Sequence, residues 1–219
     1  MNLEARRLAR WTRKVLRPHG FSKENTLAVV LTCRDEICHD VHHRLERSWG
    51  QAFDGRSLAG MPWLGTTGMG AALSHAPLER GKRRLVIVHL SHIGFAPAPG
   101  VTVRDGVSHP TCGAVQALLD SDDTSNIRIT DTEQTLMVHR LKQVLENGTP
   151  RPTSMEDMTA LVQAMALSDL QVMLADVLDP QRVDHALISG CLEHRPTGDT
   201  LTLTHATVRV DGDLSHLFH

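Results

Sequence analysis

Three stretches of this 219-residue chain carry side chains that can act together. VVLTCRDEICHD (29–40) places Cys33, Arg34 and Asp35 directly after an apolar run. VIVHLSHIGF (86–95) brings His92 to the end of a second apolar run. VSHPTCGAV (107–115) holds His109 and Cys112. Two thiolates and one imidazole suit zinc, and they leave one position of a tetrahedral site open, as catalytic zinc requires. The thiolate is the ligand, and a helix N-terminus favours it over the thiol. Cys33 stands where a strand should give way to a helix, and Cys112 where a helix should begin. Spacing alone does not decide the matter. The gaps are far longer than in compact zinc fingers, and an isolated cysteine is commonly a small buried hydrophobe.

The elements that must position these residues follow from the pattern. TLAVVLT (26–32) and RRLVIVHLSHIGF (83–95) are continuous β-branched runs, expected as strands buried on both faces. The carboxyl ends of such strands are where open α/β sheets place their sites, so Cys33 and His92 are expected at one sheet edge. DEICHDVHHRLERSWG (35–50) reads as a helix stopped by Gly50, and the stretch beginning TCGAVQALL reads as another. Further helices are expected over 131–148 and 154–178, a strand over 185–194, and a strand or hairpin over 199–214. Strands alternating with helices give an α/β fold: a mostly parallel central sheet flanked by helices. ENGTPRPTS (146–154) reads as a loop, so residues 1–219 form one domain. An amphipathic helix at about residues 3–17 opens it, with Leu8, Trp11 and Val15 on one face and Arg6, Arg10, Arg13 and Lys14 around them. That stripe is expected to dock on the domain itself or on a partner subunit.

Other candidates have plain readings. His39 and His43 are one turn apart but lack a third ligand, so a solvated or interface role is expected. Cys38 reads as core. GTTGMG (65–70) matches neither a phosphate loop nor a dinucleotide fingerprint and is expected as close backbone packing beside the site. His75 is open between a pocket residue and a structural one.

Composition narrows the class. Hydrophobic residues are 41%, charged residues 22% and net charge −2, with no global pull toward nucleic acid or acidic lipid. Aromatics are 3% and tyrosine is absent, which disfavours base-stacking platforms. No apolar run is expected to cross a membrane, and no secretory signal is read at the start. Four cysteines fit a reducing cytoplasmic setting with thiols free for metal.

The segments CRDEI, WGQAFDGRSLAGMPWLGTTGMGAALSHAP, HLSHIGF and CGAVQALL occur in this order in one family. Over about residues 20–180 the chain resembles the limiting-carbon-dioxide-inducible B/C family, a divergent branch of the β-class carbonic anhydrases. The resemblance implies a β-carbonic-anhydrase-like α/β fold, an obligate homodimer, and zinc held by Cys33, His92 and Cys112. It implies reversible hydration of carbon dioxide to bicarbonate, with Asp35 aligning the attacking hydroxide and Arg34 keeping Asp35 ionised and off the metal. The ordinary β-class pattern is Cys-x-Asp-x-Arg followed by His-x-x-Cys. Here Asp35 has the expected offset, but Arg34 precedes it and Ile37 stands where arginine is usual. His109 forms a His-x-x-Cys with Cys112 and is a rival ligand. His92 is favoured because it follows the buried strand. Two other functions stay open: a catalytically silent zinc-binding homologue acting as a regulatory or binding subunit, and a zinc hydrolase of a small amide or ester.

Overall fold

The computed structural model describes residues 1–104, 106–121 and 129–218. Among these, ten strands and six helices follow one another as β1 (Asn2–Glu4), α1 (Leu8–Leu16), β2 (Thr26–Thr32), α2 (His39–Trp49), β3 (Ala52–Asp54), α3 (Gly65–His75), β4 (Leu78–Glu79), β5 (Lys82–Gly94), β6 (Val101–Arg104), β7 (Val107–Pro110), α4 (Gly113–Asp120), α5 (Thr132–Glu146), α6 (Met155–Val177), β8 (Val183–His194), β9 (Thr200–Val210) and β10 (Asp213–His216). The main sheet runs β1-β9-β8-β5-β2-β3, with β10 beside β9 and β4 beside β5. β3, β2, β5 and β8 run parallel to one another, and β4 pairs antiparallel with β5. β1, β9 and β10 extend the sheet antiparallel.

Period-two alternation splits the buried strand residues between two cores. Ala28, Val30, Val86, Val88, Leu90, Ala186, Ile188 and Leu192 face one cluster, completed by α1, α2, α4, α5 and the first half of α6. Leu27, Val29, Leu31, Leu85, Ile87 and Leu187 face the other, completed by α3 and the second half of α6. Burial on both faces explains why β2 and β5 read as unbroken apolar runs.

Three expectations change. The N-terminal helix is Leu8–Leu16, preceded by β1 and one 3-10 turn. Its buried stripe is Leu8, Ala9, Thr12 and Leu16, with Trp11 and Val15 only partly covered. The helix is spent on its own domain: Trp49 Nε1 of α2 donates to Thr12 Oγ1 at 3.3 Å, and Ser48 Oγ to the Ala9 carbonyl at 3.2 Å. Second, GTTGMG opens α3, whose Met69 and Ala72 pack in the core that lacks Cys33 and Cys112. A Cβ on Gly65 or Gly70 would meet nothing within 4 Å, and one on Gly68 would meet only the Leu64 side chain, so these glycines bring no backbone close to the Cys33 and Cys112 side of the sheet. Third, α6 is long and apolar enough to cross a membrane by length and composition, with mean hydropathy 1.4 over its most apolar window. Half of that window is buried inside the protein, where α6 packs on β5, α3 and α4; the parallel sheet needs such a cover.

Candidate metal centre

Cys33 directly follows β2, and its backbone bridges to Ser57. His92 lies two residues before the end of β5, opposite Leu192 of β8. Its even number places it on the same sheet face as Val88 and Leu90. Cys112 arrives by a different route. The chain leaves β5 at Gly94, forms the β6–β7 hairpin, and returns so that the Thr111 N–H donates to the Gly100 carbonyl at 2.8 Å. This return crosses Gly94 so closely that a Cβ there would collide with Thr111 Oγ1 and the Val101 carbonyl. Cys112 then caps α4 with φ 59° and ψ 73°, a left-handed conformation that is costly for a side-chain-bearing residue and characteristic of functional positions. On the other side, Gly60 (φ 76°) would set a Cβ 2.8 Å from the Leu90 carbonyl, so only glycine lets that turn lie against β5 and the backbone of Cys33.

The ligand atoms of Cys33, His92 and Cys112 lie within 4.8 Å of one another. They are 4%, 1% and 1% exposed. His109 is exposed on β7 and is not among them. Cys112 hydrogen-bonds to Cys33, and the nearby His92 ring and the Asp35 N–H act in the same direction, holding the Cys33 thiol well below its ordinary value despite its burial. The hydrogen bond to Cys33 and burial push Cys112 up, so the remaining proton stays there. Both ring nitrogens of His92 are buried without a hydrogen-bond partner among the described residues. A buried imidazole with neither nitrogen satisfied is costly, and a cation bonded to one of them removes half of that cost. The donor set therefore fits a soft-to-borderline divalent metal such as zinc.

A second group shares His92: Cys38, His92 and His194 also bring their ligand atoms within 4.8 Å of one another. His194 ends β8, so the carboxyl ends of the adjacent parallel strands β5 and β8 meet here. Sequence reading missed His194, because only the strand register joins it to His92.

Asp35 and Arg34 are placed apart. Asp35 accepts a hydrogen bond from the Ile37 N–H at 3.3 Å and caps the 3-10 turn Glu36–Cys38. The Arg34 guanidinium is exposed, pairs with Glu133 Oε1 of α5 at 2.7 Å and donates to the Arg56 carbonyl at 3.2 Å. Glu133 also accepts from the Leu58 N–H at 2.8 Å. Among the described residues no ion pair joins Arg34 to Asp35. His39 and His43 sit on α2 with their rings edge to face and belong to neither group of donors. Cys38 is core, as read. His75 is exposed at the end of α3. A small cavity of about 190 Å³ is lined by Asp35, Ile37, Thr102 and His109. A neighbouring one of about 500 Å³ is lined by Ile37, Thr102, His194 and Asp199.

Residues 2–208 match the family model of the limiting CO2-inducible proteins B/C β carbonic anhydrases. The chain belongs to this family. Its fold is that of the limiting CO2-inducible protein LCIB, with TM-score 0.79 and 21% identity over 98% of this chain and 93% of that one. It is also that of PtLCIB4, a homolog of LCIB, with TM-score 0.81 and 21% identity over 100% and 95%. Sequence comparison with curated proteins finds no match. The family match spans nearly the whole chain, including β1 and β8–β9, well beyond the segments whose motifs are legible by eye. Among the described residues, the buried Cys/His groups above are those that could hold a metal ion.

Proposed function

We propose that the chain is a zinc-dependent carbonic anhydrase, catalysing reversible hydration of carbon dioxide to bicarbonate and a proton. The observation that carries this reading is the buried triple of Cys33, His92 and Cys112 donors within 4.8 Å, in a chain of a β-carbonic-anhydrase family. Zinc held there makes water a nucleophile near neutral pH, the property for which carbonic anhydrases are the type case. The chain supplies the rest. Cys33 is already poised as a thiolate, and Cys112 gives up its proton when a metal binds. Asp35 lines a small cavity with Ile37, Thr102 and His109, and its carboxylate would accept the hydrogen bond that orients the attacking oxygen toward substrate. The apolar Ile37 wall suits a nonpolar gas. Stopped-flow carbon dioxide hydration on protein of known zinc content tests the proposal. Parent protein should hold about one zinc per chain, and Cys33→Ser should lose zinc and activity together. Zinc-loaded parent that leaves the uncatalysed rate unchanged overturns it.

One observation favours a second reading, a zinc-binding but silent homologue with a regulatory or binding role. Arg34 is engaged by Glu133, and Asp35 is turned onto its own turn. The same stopped-flow measurement separates the two. A homodimer and a cytoplasmic setting belong to the proposal as well. The dimer rests on the family resemblance alone, since α1 is covered by its own domain. Light scattering at micromolar concentration should give twice the chain mass, and a fully active monomer would remove the dimer from the proposal.

A further inference from the structure

We propose that Asp199 and His194 form a hydrogen-bonded relay onto His92 that fixes which nitrogen of His92 faces the metal; it rests on the metal reading above. His194 Nδ1 lies 3.1 Å from Asp199 Oδ2. A carboxylate only accepts, so in the neutral ring the hydrogen sits on Nδ1 and Nε2 carries a bare lone pair. That Nε2 is buried without a hydrogen-bond partner among the described residues, and His194 is 5% exposed. His92 lies alongside, with ring centroids 5.5 Å apart in an edge-to-face arrangement and one nitrogen of each ring within 4.8 Å of the other. One ring therefore lacks a donor, and its neighbour has an N–H that lacks an acceptor. A side-chain adjustment joins them and settles both. It also leaves the lone pair on the other nitrogen of His92, free for a metal held with Cys33 and Cys112.

The fold holds the relay in place. His92 pairs with Leu192 and Gly94 with His194 in the parallel β5–β8 register, so the two histidines are diagonal neighbours on one sheet face. Asp199 precedes β9, and its carbonyl accepts from the Ala5 N–H at 3.1 Å, where β1 pairs with β9. The N-terminal segment thus anchors the outer end of the relay. The competing reading makes Cys38, His92 and His194 a metal site of their own. It would place a third ionised sulfur close to Cys33, Asp35 and Asp199, whereas the relay needs no new charge.

Metal-ligating histidines oriented by such partners typically lose about 10–100-fold in metal affinity when the partner is removed. The test is zinc affinity of the full chain, measured by competition with a chromophoric chelator. His194→Leu should weaken zinc within that range, His194→Gln should recover much of it through its acceptor oxygen, and Cys38→Ser should match the parent. Folding is checked by thermal melts of the metal-free proteins. In the metal-free parent, side-chain nitrogen NMR should report His194 with hydrogen on Nδ1, a readout independent of any variant. Unchanged affinity in His194→Leu, or hydrogen on Nε2 of His194, overturns the relay. Equal losses in Cys38→Ser and His194→Leu overturn it in favour of the separate metal site. A parent that binds no zinc overturns the metal reading itself, and the relay with it.

Discussion

Asp35 has two roles that one substitution separates. As a cap, its carboxylate satisfies the Ile37 N–H, and asparagine caps about as well as aspartate. As a catalytic group, it needs the charge and lone pairs of a carboxylate facing the cavity it lines with Ile37 and Thr102. Asp35→Asn is therefore expected to leave the melting temperature nearly unchanged and zinc in place, while turnover per zinc falls about 10²–10⁴-fold. Unchanged turnover per zinc would leave Asp35 with the cap alone. Arg34 is the residue whose expected partner differs most from the observed one. The family resemblance implies that it grips Asp35, but its guanidinium pairs with Glu133 of α5. Nothing in the local pattern around Arg34 points to a partner so far along the chain.

At the scale of elements, the site depends on the segment that carries Cys112 back over the end of β5. Gly94 permits that crossing, and its requirement is space rather than conformation. Gly94→Ala forces Thr111 and Val101 outward. The expected cost is about 1–3 kcal/mol of overpacking, accompanied by poorer zinc retention because Cys112 moves with Thr111. Gly70→Ala is the contrasting control. A Cβ there meets nothing within 4 Å, and alanine in a helix interior is favoured over glycine by about 0.5–1 kcal/mol, so the melt should rise slightly with zinc unaffected. Chemical denaturation and metal analysis of both variants check the pair. The same contrast shows what a sequence reveals about elements. β2, β5, α5 and α6 are legible because long apolar runs have only a few ways to be buried. α3 is not, because its glycines and small residues score poorly as helix although the sheet's second face requires a cover there. β1, β3, β4 and β10 are too short to show alternation. Cys33, His92 and Cys112 stand out because strand ends and helix starts are local features, whereas His194, Asp199 and Glu133 join the site through register and packing that no local window contains.

For the whole molecule, the buried histidines set how stability responds to acid. His89 is fully buried in β5, with Nδ1 2.8 Å from Ser189 Oγ and no partner for Nε2 among the described residues, and burial lowers its pKa to about 4. His185 of β8 is also lowered to about 4, chiefly by burial and further by Arg209. In the unfolded chain both titrate near 6.5. Above that pH both states are neutral at these positions, and the histidines leave stability unchanged. Between about 6.5 and 4 the unfolded chain takes up protons that the folded chain refuses, so stability falls as pH falls. The slope approaches about 1.4 kcal/mol per pH unit for each imidazole. Below about 4 the folded state is protonated too, and this contribution levels off. Acid also drives metal off thiolates, so the measurement belongs on metal-free protein, as urea unfolding at successive pH values. His89→Gln keeps a hydrogen bond toward Ser189 but cannot titrate. It should therefore show a shallower decline between pH 6.5 and 4 than the parent. An identical slope in the two proteins would mean that His89 takes up its proton in the folded state as readily as in the unfolded one, and that the acid sensitivity arises elsewhere.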